Sequence, residues 1–168
     1  MTATTNTGPL IALAKLNHLH LLPTLYGQLI VPQAVYDECV IVGQTRGYSD
    51  ADVIQAFLKD IGVLPLTPHT LPSRLAGDVR LGRGEMEAIG LAKEHRSLLL
   101  IDEVYARAIA EQMELQTVGS LGILVEAYQR GNLAANVLDE LLITIEQRKD
   151  IWIQPTLCER VRREVLGK

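Results

Sequence analysis

Five side chains in this sequence offer oxygen donors at places where alternating strands and helices would bring them together: Asn6, Glu38, Glu85, Asp102 and Glu103. Asn6 closes the short segment Thr2 to Thr5, and Asp102 directly follows the apolar run Leu98-Leu99-Leu100-Ile101, with Glu103 beside it. In open parallel sheets, ligands gather at the carboxyl ends of the strands. Glu38 lies in Val35-Tyr36-Asp37-Glu38 and Glu85 at the head of Gly84-Glu85-Met86-Glu87-Ala88-Ile89, both in segments with helical character. Crowded carboxylates repel one another. A hard divalent cation removes that repulsion, takes oxygen ligands while keeping several waters, and can orient a water or a phosphate oxygen. No pair of these residues is diagnostic, and each has an ordinary alternative. Asn6 suits a turn before Gly8-Pro9, and Glu38 suits a solvated helix face. Glu85 near a helix start is favoured by the dipole alone, and Asp102 could cap the helix that follows it.

The elements that must position these residues follow from periodicity. Short apolar runs alternate with helical patterns, the mark of a parallel sheet wrapped by helices. Strands are expected at Thr2 to Thr5, Gln28 to Val31, Val63 to Leu66, Leu98 to Ile101 and Gln116 to Val118. Helices are expected at Pro9 to Lys15 and at Asn17 to Tyr26, with Asn17 as an N-cap and Gly27 as a stop. Another begins after Pro32 and carries Val35, Cys39 and Val42 on one face. Val42 to Asp50 reads as a loop, and Asp50 can cap a helix that runs through Lys59. Thr67 to Arg83, rich in Pro, Thr, Ser and Gly, reads as an irregular rim of a site. Helices return at Gly84 to His95 and Glu103 to Met113. The remainder is helical, at Leu121 to Gln129, Val137 to Arg148 and Thr156 to Leu166. With no repeat, low-complexity tract or linker, residues 1–168 are expected to form one domain with a helical C-terminal portion.

Composition excludes several classes. The formal net charge of −4 argues against a protein that coats nucleic acid through a broad basic face, while leaving room for local contact with RNA. Cys39 and Cys158 stand far apart, outside any zinc-ligand spacing, and are expected to be free thiols. His18 and His20 are two residues apart, not the four that place two ligands on one helix face. Gly82-Arg83-Gly84 lacks the lysine of a phosphate loop, and no nucleophile elbow occurs. No apolar run is long enough to span a bilayer, and Met1 to Thr7 has no signal character, so a cytoplasmic protein is expected. Arg83 and Arg107 can each pair with a phosphate through two hydrogen bonds or with nearby carboxylates. The apolar positions Leu121, Leu124, Val125, Leu138, Leu141 and Leu142 exceed what a small sheet needs to cover, which suggests a homodimer.

Read in order, Asn6-Thr7-Gly8-Pro9-Leu10-Ile11, Val31-Pro32-Gln33-Ala34-Val35-Tyr36-Asp37-Glu38, Leu81-Gly82-Arg83-Gly84-Glu85-Met86-Glu87-Ala88-Ile89, Leu99-Leu100-Ile101-Asp102-Glu103 and Val118-Gly119-Ser120-Leu121-Gly122 form a series. That series resembles the PIN-domain nucleases, in particular a short-chain, VapC-like subfamily. The resemblance implies a three-layer α/β/α fold around a parallel sheet of about five strands. It implies cleavage of RNA with Mg²⁺ or Mn²⁺, by a toxin held in check by an antitoxin. The implied catalytic residues are Glu38, Glu85 and Asp102, in a metal site of Asn6, Glu38, Glu85 and Asp102, with either Asp102 or Glu103 in the inner position. Thr7 and Ser120 would support the site. This chain has Asn6 where the active nucleases carry Asp. Asn keeps the carbonyl oxygen and loses the charge, which leaves a non-catalytic module that binds RNA or protein as the alternative.

Overall fold

The structure, a computed structural model, describes residues 1–168. Four parallel strands form the central sheet: β1 (Thr2–Thr5), β2 (Gln28–Ile30), β3 (Leu98–Leu100) and β4 (Thr117–Val118), in the order β2-β1-β3-β4. Side chains on adjacent strand residues point to opposite faces, and β3 uses both. Leu100 joins a core of 29 buried residues, while Leu99 and Ile101 join a second core of 10 on the other face. The first core is closed by α1 (Thr7–Lys15), α2 (Leu21–Tyr26), α9 (Ser120–Gln129) and α10 (Ala135–Gln147). The second is closed by α6 (Ser73–Ala76), α7 (Arg83–His95) and α8 (Val104–Gln112). Helix α3 (Gln33–Tyr36) packs on α7, α5 (Ser49–Asp60) covers α1, and α11 (Pro155–Val165) closes the chain against α10. The result is the α/β/α layering expected from the alternating pattern. No helix is long and apolar enough to cross a membrane.

The expected fifth strand, Val63 to Leu66, shrinks to a single bridge. Leu66 donates to the Val31 carbonyl at 2.9 Å and accepts from the Gln33 N–H at 2.7 Å, and no ladder continues from this pair. Pro65 has no N–H to contribute to one. Asn17 is a second correction. Its φ of 58° places it in the left-handed region just after α1, so it terminates that helix and does not cap the next. His18 and His20 therefore lie in the turn before α2. Gly27, at φ 70°, ends α2 as expected. Ser73–Ala76 is helical within the irregular rim, anchored by the fully buried Leu75.

A third correction concerns the helix that carries Glu38. After α3 the chain continues through a π-helical stretch, Asp37–Val42, into α4 (Gly43–Thr45). The wider turn buries Val35, Cys39, Val40 and Gly43 and turns Val42 out to solvent, where an unbroken α-helical period predicted Val42 inside. Val42 to Asp50 is consequently mostly helical, with a break only at Arg46–Tyr48. Gly43 is needed where this helix meets α5, because a Cβ there would stand 2.8 Å from that of Ala51.

The apolar residues that suggested pairing are mostly interior. Leu124, Leu138 and Leu142 are fully buried and Leu141 nearly so, leaving only Leu121 and Val125 partly exposed. Pairing gains no support from them.

One buried carboxylate ties α7 to α3. Glu87 accepts from the Ala34 N–H at 2.9 Å and from Arg83 Nε at 2.9 Å, with 3% of its surface exposed. Its charge meets the unpaired N–H groups at the start of α3, where a helix favours an anion. Replacing Glu87 with Ala would strand a buried N–H and is expected to cost about 1–3 kcal/mol. Glu87→Gln keeps an acceptor and should cost less. Urea denaturation of both variants checks the order.

Candidate functional site

The chain leaves β1 to form β2 on one side of it, then crosses to form β3 on the other side. That reversal opens a crevice at the carboxyl ends of β1 and β3, the usual ligand position in such sheets. The strands are in register there, with Thr5 opposite Leu100 and the Asn6 N–H donating to the Leu100 carbonyl at 2.9 Å. Asn6 and Asp102 thus emerge side by side. Around them lies a cleft of about 440 Å³ lined by Asn6, Thr7, Glu38, Glu85, Asp102 and Glu103, together with Gly8, Gly82, Val104 and Trp152. The structure brings together every carboxylate singled out in the sequence.

Each acidic side chain is fixed by a different donor. Thr7 Oγ1 donates to Glu38 at 2.5 Å. The Gly82 N–H donates to Glu85 at 2.7 Å across the first turn of α7. The Ala106 N–H donates to Glu103 at 2.6 Å, which makes Glu103 the N-cap of α8. Asp102 is held twice, by the Ser120 N–H on one oxygen and Ser120 Oγ on the other, both at 2.6 Å. Ser120 is fully buried at the start of α9, so a helix N-terminus faces the Asp102 charge. These bonds leave one oxygen each of Glu38, Glu85 and Glu103 without a protein donor.

Asn6 is the least ordinary member. It occupies the N-cap position of α1, where Asn normally accepts from an N–H of the first turn, yet its side chain makes no capping bond. One such N–H is missing altogether, since the third residue of α1 is Pro9. Asn6 Oδ1 is buried with no hydrogen-bond partner, although the residue lines the cleft at 6% exposure. A buried acceptor left unsatisfied costs about 1–3 kcal/mol. An unpartnered carbonyl oxygen among free carboxylate oxygens is a donor set that suits Mg²⁺ or Mn²⁺. No three carboxylates are gathered tightly enough to close a coordination shell among themselves. A cation that keeps most of its waters does not require it.

Glycines make the room. A Cβ at Gly84 would stand 2.9 Å from Glu38 Oε1, and one at Gly8 would stand 3.0 Å from Asp102 Oδ2. At Gly119 it would meet Asp102 Oδ1 at 2.9 Å and Arg107 Nη2 at 2.5 Å. Arg83 Nε donates to Glu87 while 69% of its side chain stays exposed, and Arg107 Nη2 donates to the Ile101 carbonyl at 2.7 Å beneath the Asp102 turn. Cys39 is no nucleophile, because burial pushes its thiol up to about 12. Two lining residues, Val104 and Trp152, carried no spacing signal toward the cleft, and Glu87, which braces the site from outside it, stood in its motif without a role.

Glu85 shows what the crowding does. Burial raises its carboxyl above the usual range; the Gly82 N–H opposes the rise, and Glu103 and Glu38 add to it. A raised carboxyl means that the folded state prefers the proton. Its favourable contribution is full below the unfolded value near 4.5 and is lost as pH rises through the higher folded value. Glu85→Gln, which cannot ionise, is therefore expected to raise the melting temperature of the metal-free protein at pH 7 by about 1–4 °C, with the gain vanishing near pH 4. Thermal melts in EDTA at the two pH values check this.

Comparison with known proteins finds one family: a family model described as a PIN domain matches residues 2–166. Neither the curated proteins nor the solved structures give a match.

Proposed function

The chain belongs to the PIN-domain family, which is of nuclease type, and from that footing we propose that it is a metal-dependent endoribonuclease, the toxin component of a toxin–antitoxin pair. One observation carries the reading. The unpartnered Asn6 carbonyl and the carboxylates of Glu38, Glu85, Asp102 and Glu103 line a single cleft at the carboxyl ends of β1 and β3. The family uses divalent metal in general. In this reading Asn6, Glu38, Glu85 and Asp102 hold Mg²⁺ or Mn²⁺, with Asp102 in the inner position. Its two bonds to Ser120 fix its orientation, whereas Glu103 is engaged in capping α8. When bound, the cation would supply charge neutralisation at a phosphodiester and a water of lowered pKa.

The chain's own residues do the rest. Thr7 and Ser120 fix the orientations of Glu38 and Asp102 by hydrogen bonds. Preorganised ligands of this kind avoid rearrangement at the moment of reaction. A carboxylate oxygen without a protein donor, on Glu38, Glu85 or Glu103, is available to accept the proton of an attacking water. The Asn6 position supports a second reading, a module that binds RNA or a protein partner without cutting. Asn6 gives the site one negative charge fewer than an aspartate would.

The two readings separate on metal and cleavage together. Asp102→Asn is expected to lower RNA cleavage in Mn²⁺ by about a hundredfold or more and to weaken the metal-induced rise in melting temperature. Asn6→Asp should enlarge that rise, because one more carboxylate attracts the cation. Absence of any metal response in wild type, restored by Asn6→Asp, would favour the binding module. No response in any of the three proteins would remove the metal site.

A further inference from the structure

Beside the acidic cleft lies a second, larger one of about 710 Å³, which shares Thr7, Gly8, Asp102 and Trp152 with it. Beyond the shared Trp152, its walls carry Tyr48, Lys15 and Lys149, which the acidic cleft lacks. Trp152 is the only tryptophan in the chain, and 93% of it is exposed. Tryptophan is highly buried on average, so a fully presented indole is unusual. Its exposure is imposed by its neighbours. Ile151 is buried and Ile153 half-buried, which turns the residue between them outward over the junction of the two clefts. Tyr48, 52% exposed, lines the same larger cleft. Few aromatic residues were available to spend in this way, since the chain has only five Tyr, one Trp and one Phe.

Two lysines accompany the rings. Lys15 and Lys149 line the cleft, alongside Asp50, Asp102 and Asp150. Lys15 and Arg148 bracket Asp150 at 3.4 Å and 2.6 Å, which offsets that carboxylate, while Lys149 makes no ion pair and is exposed. Exposed aromatic faces beside an unpaired cation match what a single-stranded nucleic acid needs. Bases stack on the rings in a sequence-tolerant way, and lysine takes up the phosphate. A duplex, whose base faces are already covered by one another, cannot use such rings.

We propose that this larger cleft is the binding groove for single-stranded RNA, with a base stacked on Trp152, a phosphate on Lys149, and the strand led past Asp102 into the acidic cleft. The inference deepens the cleavage reading and rests on it. Tyr48 is a second stacking platform farther along the groove.

The sole tryptophan makes the test direct. Titrating a single-stranded RNA octamer of mixed sequence into the full chain in EDTA, where no cleavage occurs, is expected to quench its fluorescence to saturation. Trp152→Ala and Trp152→Leu, followed by anisotropy of labelled RNA, should each weaken binding at least about fivefold, with Trp152→Phe retaining most of it. Leu keeps apolar bulk without a π face, so a merely hydrophobic contact would survive in that variant. Lys149→Ala should weaken binding and lower the slope of log affinity against log salt by about one. Because Trp152 is surface-exposed, thermal melts of its variants should match wild type. Unchanged fluorescence with RNA, or Trp152→Ala binding within twofold of wild type, would overturn the groove. If wild type still cleaves RNA in Mn²⁺ under that outcome, the cleavage reading stands alone. If neither quench nor cleavage occurs, both fall.

Discussion

Mutual repulsion among carboxylates at the end of one crevice is the constraint around which the rest of this structure is arranged. Glu38, Glu85 and the adjacent pair Asp102 and Glu103 come from three separate segments, yet the parallel order β2-β1-β3-β4 delivers them to the same cleft. Nothing in a sheet or a helix rewards that convergence by itself. Each carboxylate is therefore restrained locally, by Thr7, the Gly82 N–H, Ser120 or the Ala106 N–H. Glycines at 8, 84 and 119 keep side chains out of the space that the oxygens occupy. The Glu85 carboxyl is raised chiefly by burial, against the Gly82 N–H, with Glu103 and Glu38 adding to the rise. Functional sites commonly hold strain of this kind that the surrounding fold must offset.

The supporting framework lies one layer out. Glu87 faces away from the cleft and joins the N-terminus of α3 to α7, so the helices that carry Glu38 and Glu85 are fixed to each other by a charge that takes no part in the site. The π-helical stretch that begins at Asp37 has a comparable role. It lets Val35, Cys39 and Val40 stay in the core while Glu38, within the same stretch, reaches Thr7. Insertions of this kind recur at functional sites because they redirect one side chain without ending a helix.

Much of this was legible in the sequence, and the exceptions have identifiable causes. The strands at Thr2–Thr5 and Leu98–Leu100, the ends that carry Asn6 and Asp102, and the helix that opens near Glu85 all follow from apolar runs and their boundaries. Those signals are local. The fifth strand failed because one bridge, Leu66 opposite Pro32, satisfied what a proline-containing segment could offer. Val42 was misplaced because a π turn changes the helical period without a sequence mark. Asn17 carries the ambiguity of a residue that suits both a left-handed stop and an N-cap. The contribution of Trp152 was invisible for a different reason: it enters the cleft from 50 residues beyond Asp102 through tertiary packing, which no periodicity encodes.

Asn6 concentrates the account in a single atom. It forgoes the cap that its position offers and leaves a buried carbonyl oxygen unpartnered among carboxylates. The most direct test is anomalous diffraction from crystals of the protein soaked in Mn²⁺. One strong peak is expected in the acidic cleft, within coordination distance of Asn6 Oδ1 and of an oxygen of Asp102, with Glu38 or Glu85 reaching it directly or through water. A cleft without manganese at saturating concentration, or a peak bound only by exposed carboxylates elsewhere, would contradict it.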